Sequence, residues 1–236
     1  MFRFKHFTIH QDRCAMKVCS DACVLGAWSG LESAQYILDI GTGTGLLALM
    51  AAQRNVCENR QIDAIEIEQA AAEQAAENIA NSPFKSAIHV YNLAVQNYNP
   101  SLGGYDYVIC NPPFYENQLL SPQFKTNQAH HSVSLKHDEL LAAVARLLNP
   151  IGILGVLLPP TQSRAFDLQA AKVGLHPKRS LLLKHNAQKP IFRVLTEYCF
   201  TVKLEKTTET LDIYETEHPH YTFAYRSLLK DFYLNF

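Results

Sequence analysis

The run Asp39-Ile-Gly-Thr-Gly-Thr-Gly45, followed 21 residues later by Glu66, is the first group of residues able to do chemistry. Gly41, Gly43 and Gly45 let backbone approach a ligand closely and turn into a helix whose first N–H groups face it, with Thr42 among them. Glu66, with Ile67 behind it, ends the next apolar run, where a carboxylate can accept hydrogen bonds from both hydroxyls of a ribose. Two cofactors are compatible with that pattern. Gly43-x-Gly45-x-x-Ala48 satisfies the dinucleotide fingerprint and would hold NAD. Asp39, however, would face a pyrophosphate. It suits a cofactor with no phosphate and a positive pole, namely S-adenosylmethionine.

Asn111-Pro112-Pro113-Phe114 is the second group. The D-x-G-x-G-x-G run resembles the first motif of class I methyltransferases. N-P-P-F resembles the motif of methyltransferases acting on a planar nitrogen, either adenine N6 or the amide of glutamine. In both substrates the nitrogen lone pair is delocalised and must be freed as the methyl group is attacked in line. The Asn111 amide oxygen and the Pro112 carbonyl can accept the two N–H bonds and stabilise charge developing on nitrogen. Proline lacks an N–H, and the Pro112-Pro113 pair stiffens the turn. Phe114 can stack on the planar group. Positioning at about 3–3.5 Å supplies most of the remaining catalysis, with no metal or general base required.

These residues need a scaffold that brings strand ends together. Tyr36–Ile40, Gln61–Ile67, Ser86–Tyr91, Tyr105–Cys110, Gly152–Leu158, Arg179–Lys184 and Arg193–Lys203 read as strands. Leu46–Gln53, Gln69–Ile79, His137–Leu148 and Thr161–Lys172 read as helices, the third with Leu140, Leu141, Val144, Leu147 and Leu148 on one stripe. The alternation predicts an α/β, Rossmann-like, mostly parallel seven-stranded sheet with an antiparallel terminal strand. We expect one domain over 1–236: an extension at 1–35 over the cofactor site and a core at 36–236. The patternless loop from Phe114 to Lys136 has the length of a functional lid or of a disordered segment.

Composition narrows the class. Hydrophobic residues are 47% and charged residues 18% of the 236, a packed globular profile. No apolar run reaches the ~18 residues of a membrane helix, the N-terminus lacks a signal-peptide core, and no C-x-x-C pair is present. The expectation is a cytoplasmic protein without metal. Net charge is −1, which excludes a globally basic nucleic-acid binder. Cations still cluster locally: Arg3, Lys5, Arg13 and Lys17 near the start, then Lys172, Lys178, Arg179, Lys184, Lys189 and Arg193 without an acid between Leu168 and Thr196. Two such stretches could meet a phosphate backbone on one face.

Beyond the two motifs, Phe7-Thr-Ile-His-Gln-Asp-Arg-Cys-Ala-Met-Lys-Val18, Ser20-Asp21-Ala22 and Leu25-Gly-Ala-Trp28 are similar to the opening of the bacterial tRNA1(Val) adenine-37 N6-methyltransferases. The similarity continues through Ile37–Leu49, Ile62–Glu66, Asn111–Phe114, His131–Leu141 and Lys230–Phe236, essentially the whole chain. It implies S-adenosylmethionine-dependent methylation of N6 of adenosine 37 in a tRNA. The base would leave its stack to be read by Asn111 and Phe114, and the basic stretches would hold the anticodon arm of a monomeric enzyme. It also implies that Gln11, Arg13, Lys17 and Asp21 lie over the cofactor pocket. At the cofactor adenine, where relatives carry an acid, the expectation is that Asn92 or a backbone carbonyl of the Asn92-Leu93 run substitutes, or that cofactor affinity is reduced. Two positions depart from the family pattern. Cys19-Ser20-Asp21 stands where Gly-Thr-Asp is usual, and Asn92-Leu93-Ala94 where an acid is usual.

Methylation of another adenine in RNA or DNA, or of a protein glutamine, stays compatible with the motifs. The 35 residues before the first cofactor strand leave little room for the substrate domain expected of a glutamine enzyme. His130 and His131 read as loop residues, Cys14, Cys19 and Cys23 as small buried thiols, and Phe232–Phe236 as packing.

Overall fold

A computed structural model describes residues 1–100, 103–113, 135–202, 205–217 and 220–236. Near the N-terminus a short hairpin joins β1 (Phe2–Arg3) to β2 (Thr8–Ile9), and α1 (Ser20–Trp28) follows. Then come β3 (Tyr36–Ile40), α2 (Leu46–Arg54), β4 (Gln61–Glu66), α3 (Gln69–Ala80), β5 (Ile88–Asn92) and β6 (Tyr105–Cys110). The second half holds α4 (His137–Leu147), β7 (Leu148–Leu158), α5 (Pro160–Lys172), β8 (His176–Lys184), β9 (Ile191–Cys199), β10 (Thr207–Asp212) and α6 (Phe223–Leu229).

The main sheet has eight strands in the order β10-β8-β9-β7-β6-β3-β4-β5. Two details correct the sequence reading. The sheet has one strand more than seven, and the antiparallel strand β9 lies between β7 and β8, with β10 added parallel to β8 at the edge. β10 is Thr-Thr-Glu-Thr-Leu-Asp, exposed over its first four residues, so it carries no apolar alternation to betray it. Helix α1 escapes periodicity for the opposite reason. Asp21 through Trp28 are all buried, leaving no polar stripe.

Strand side chains alternate between two apolar cores. One holds Ile37, Ile62, Tyr107 and Leu195 under α1, α2 and α6; the other holds Leu38, Val108, Val156 and Tyr198 under α4 and α5. The two ends of the chain are stitched together: Lys5 N–H donates to the Phe232 carbonyl at 2.8 Å. Tyr233 packs its ring on Phe2 and Phe4. The closing aromatics therefore pack against the hairpin and α1.

What positions the site is the reversal at β3, which pairs with β4 on one side and β6 on the other. At such a point a crevice opens beyond the strands' carboxyl ends. In-register pairing of Ile40 with Ile65 and with Cys110 sets Gly41, Glu66 and Asn111 side by side along that edge.

Candidate active site

The glycine turn closes over the end of β3. Gly41, Gly43 and Gly45 have φ of 71°, 56° and 82°, a region in which a side chain is strained. A Cβ built on Gly41 or Gly43 meets nothing within 4 Å, so the loop leaves open the volume above it.

Asp39 is fully buried beneath this turn. Its Oδ2 accepts from the Thr42 hydroxyl at 2.5 Å and from the Ala48 N–H at 3.1 Å. Its Oδ1 is buried without a hydrogen-bond partner among the described residues. Burial raises its pKa from 3.8 to about 7, against the lowering by Thr42 and Ala48, with Glu66 nearby adding to the rise. A buried carboxylate with an orphaned oxygen is poised for a cation.

Glu66 is held in place by backbone: Oε2 accepts from Gly43 N–H at 2.9 Å and Oε1 from Glu68 N–H at 3.0 Å. Beside it Ile67 is half-exposed at the strand end, an apolar surface facing solvent. Asn92, paired with Glu66 in register, donates from Nδ2 to the carbonyls of Glu66 and Ile67 at 2.9 and 3.0 Å. This leaves its amide oxygen to accept, next to the half-buried Leu93.

Across the crevice, Asn111 follows β6. Its Oδ1 is buried and unpartnered among the described residues, while Nδ2 reaches the Met16 sulfur at 3.6 Å. Pro112 is buried and Pro113 exposed. Phe114, Tyr115, His130 and His131 lie outside the described residues.

Residues 10–18 cross this end of the sheet as a strap. Asn78 of α3 exchanges two hydrogen bonds with the backbone of His10, at 2.9 and 2.8 Å, and Arg13 pairs with Glu77. Lys17 donates to the carbonyls of Gln11 and Cys14, and the Gln11 side chain accepts from Val18 N–H at 2.8 Å. Cys14 comes close enough to Glu66 that, after burial, this carboxylate is the next cause lifting its thiol to about 11. Lys17 therefore braces the strap. Asp21 is buried against Arg193 of β9, with Oδ2 to Nε at 2.8 Å. Cys19 has φ −130°, so the family's glycine is dispensable there without strain.

The basic stretches do not form one free face. Arg179 is bound to Glu197 at 2.6 Å and lies 4.2 Å over the Trp28 ring; Arg13 and Arg193 are paired as above, and Lys184 Nζ donates to the Ala187 carbonyl. Gln74 of α3 also accepts from the Arg13 N–H at 3.4 Å. Sequence reasoning missed Met16, Gln74 and Asn78 as parts of this site. Asn78 and Gln74 sit on an Ala- and Glu-rich helix like ordinary surface amides, and nothing local marks them.

A doubly wound sheet with this strand order, a glycine turn over a buried acid, and a second acid ending the next strand define an S-adenosylmethionine-dependent class I methyltransferase. The residues fit that cofactor: the orphaned Asp39 oxygen suits its positive pole, and the cradle over Gly41 and Gly43 has room. Solved structures share the fold. One described as a predicted O-methyltransferase from Agrobacterium tumefaciens has a TM-score of 0.66 at 20% identity, covering 89% of this chain and 96% of that one. A SAM-dependent methyltransferase from Aquifex aeolicus has a TM-score of 0.54 at 16% identity, covering 73% and 85%. Residues 28–155 match the family model of the methyltransferase small domain. Proteins named tRNA1(Val) (adenine(37)-N6)-methyltransferase from Dyadobacter fermentans and Bacteroides fragilis are 48% and 42% identical, over 100% and 99% of this chain and 98% and 97% of theirs. The chain belongs to the tRNA1(Val) (adenine(37)-N6)-methyltransferase family. Among the described residues no helix is long and apolar enough to cross a membrane, and no cluster of His, Cys, Asp or Glu could hold a metal ion.

Proposed function

We propose that this enzyme transfers a methyl group to N6 of adenosine 37 in tRNA1(Val). It would act in the cytoplasm as a monomer, with residues 1–236 forming one catalytic unit and 1–35 its cover. The observation that carries the reading is the buried Asn111 Oδ1, without a partner among the described residues, on the strand edge shared with Asp39 and Glu66. A buried acceptor without a donor is costly, and an incoming amino group removes that cost.

S-adenosylmethionine supplies an electrophilic methyl group on a sulfonium. Asp39 would hold its positive pole, Glu66 would accept from the ribose hydroxyls, and Ile67, Leu93 and Asn92 would hold its adenine. Gly41, Thr42, Gly43 and Gly45 shape the cradle. Lys17 and Asp21 act on it indirectly, by bracing the strap and seating α1. On the substrate side, Asn111 Oδ1 and the Pro112 carbonyl would accept the two N–H bonds of the extruded adenine and Pro113 would stiffen the turn, while Phe114, the aromatic of the sequence motif, would be the residue to stack on the ring. As the N–CH3 bond forms the S–CH3 bond would break, its electron pair staying on sulfur as a neutral thioether; the nitrogen becomes cationic and acidic, and its surplus proton passes to water without a dedicated base.

The test is transfer from labelled S-adenosylmethionine to tRNA from cells lacking this protein, followed by nucleoside mass analysis. N6-methyladenosine in tRNA1(Val), lost with Asn111→Ala while cofactor binding survives, supports the reading. Label appearing only in protein overturns it in favour of a glutamine substrate.

A further inference from the structure

Met16 is the one strap residue in hydrogen-bond range of the Asn111 side chain among the described residues, and it lies between two braces. Behind it the strap is tied to α3 through His10 and Arg13; ahead, Lys17 and Val18 are tied back to Gln11, Lys17 also to Cys14. The backbone is thus fixed on both sides of a side chain that is itself 36% exposed. Its thioether sits against the amide that the adenine reading assigns to the target nitrogen.

We propose that Met16 is a positioning residue for the target base: it caps Asn111 in the empty enzyme and then swings aside to pack on the extruded purine. The inference rests on the adenine reading above. Methionine suits both states. Its three rotatable bonds let it leave the slot without moving the braced backbone, and its polarisable sulfur favours contact with an aromatic ring. A thioether is also a weak acceptor, so displacing it from Asn111 Nδ2 forfeits little. A stronger acceptor in its place would hold the amide and block the slot.

The experiment uses the full chain and an anticodon stem-loop RNA with 2-aminopurine at position 37, whose fluorescence rises as the base unstacks. Wild type, Met16→Leu and Met16→Ala are compared for that rise, for kcat/KM on unlabelled tRNA, and for S-adenosylmethionine affinity. Met16→Ala is expected to lower the fluorescence rise and kcat/KM by about 2- to 10-fold, the size of a lost side-chain contact with the ring. Met16→Leu should restore most of both, and cofactor affinity should stay within about twofold for all three. Unchanged extrusion in Met16→Ala overturns the proposal. So does a fall in cofactor affinity that matches the fall in extrusion, because it makes Met16 a strap anchor only. Wild type that leaves the unlabelled tRNA, with adenosine at position 37, unmethylated refutes the adenine reading itself, and the inference falls with it.

Discussion

Asp39 accepts from the Thr42 hydroxyl at 2.5 Å through one carboxylate oxygen, and the other is buried without a partner among the described residues. Its pKa, raised to about 7 by burial, makes the empty site sensitive to pH. A cation beside it favours the ionised form, so binding a positively charged cofactor must expel the residual proton. Cofactor affinity should therefore rise from pH 6 to pH 8 and level off above. Calorimetry in buffers of differing ionisation enthalpy should show proton release near pH 6.5 that vanishes by pH 8.5. Flat affinity across this range would remove Asp39 from the cofactor site.

The same group sets a cost on folding. A carboxyl whose folded pKa lies above its unfolded value contributes stability that is complete below about 4 and lost as pH rises through about 7. Asp39→Asn keeps an oxygen for Thr42 and Ala48 and removes the buried charge. It should raise the melting temperature of the cofactor-free protein at pH 8, by up to about 4 kcal/mol of stability, while cofactor affinity collapses. Thermal melts at pH 5 and pH 8 check the sign, since the gain should be much smaller at pH 5.

Glu197 is buried and accepts from Arg179 at 2.6 and 2.8 Å, from Gly30 N–H at 2.8 Å and from Tyr107 at 2.8 Å. Desolvation alone would raise its pKa, but these donors together hold it below 4.5. Its stabilising contribution is present above that value and lost as pH falls through the lowered one. Arg179→Ala strands the charge and should cost about 3–5 kcal/mol of stability. Among molecules that remain folded, the salt dependence of tRNA binding should not change. Lys189→Ala on the exposed β8–β9 turn should instead reduce that slope by about one without altering the melt.

Gly43 has φ 56° but open space where a Cβ would stand. Gly43→Ala should cost about 1–2 kcal/mol of stability from the left-handed backbone. Cofactor affinity should fall further than that, because the new methyl group enters the cradle. Equal losses in a melt and in a binding titration would mean that nothing occupies that volume.

Asn78 satisfies both backbone groups of His10 and also donates to the Thr44 carbonyl at 2.9 Å, coupling the strap to the glycine turn. Asn78→Ala should accelerate amide hydrogen exchange across residues 10–18 and weaken cofactor binding together. The expected cost is about 1–3 kcal/mol for the groups left unpaired. Faster exchange without weaker binding would separate the strap from the cofactor.

The order of motifs was legible before any coordinates. Strands β3 and β6 match their expected limits, and the acids ending or preceding turns, Asp39 and Glu66, lie where their spacing places them. Those signals are local: apolar runs, glycines that must turn, and an Asn-Pro-Pro stop. Elements whose burial departs from a simple period, the wholly buried α1 and the mostly exposed β10, carry no such signal.

The residues of this chain by themselves determined the sheet's alternation, the glycine turn after β3 and the Asn-Pro-Pro stop after β6, because each depends on neighbours a few positions away. Only the tertiary structure decided which cations are already paired, that Lys17 and Asp21 serve the chain's own backbone and Arg193, and that Met16 sits on Asn111. Those pairings join residues 95 to 172 positions apart in the case of Met16 with Asn111 and Asp21 with Arg193. Such contacts exist only once the sheet brings its strand ends to a common edge, and no local pattern encodes them.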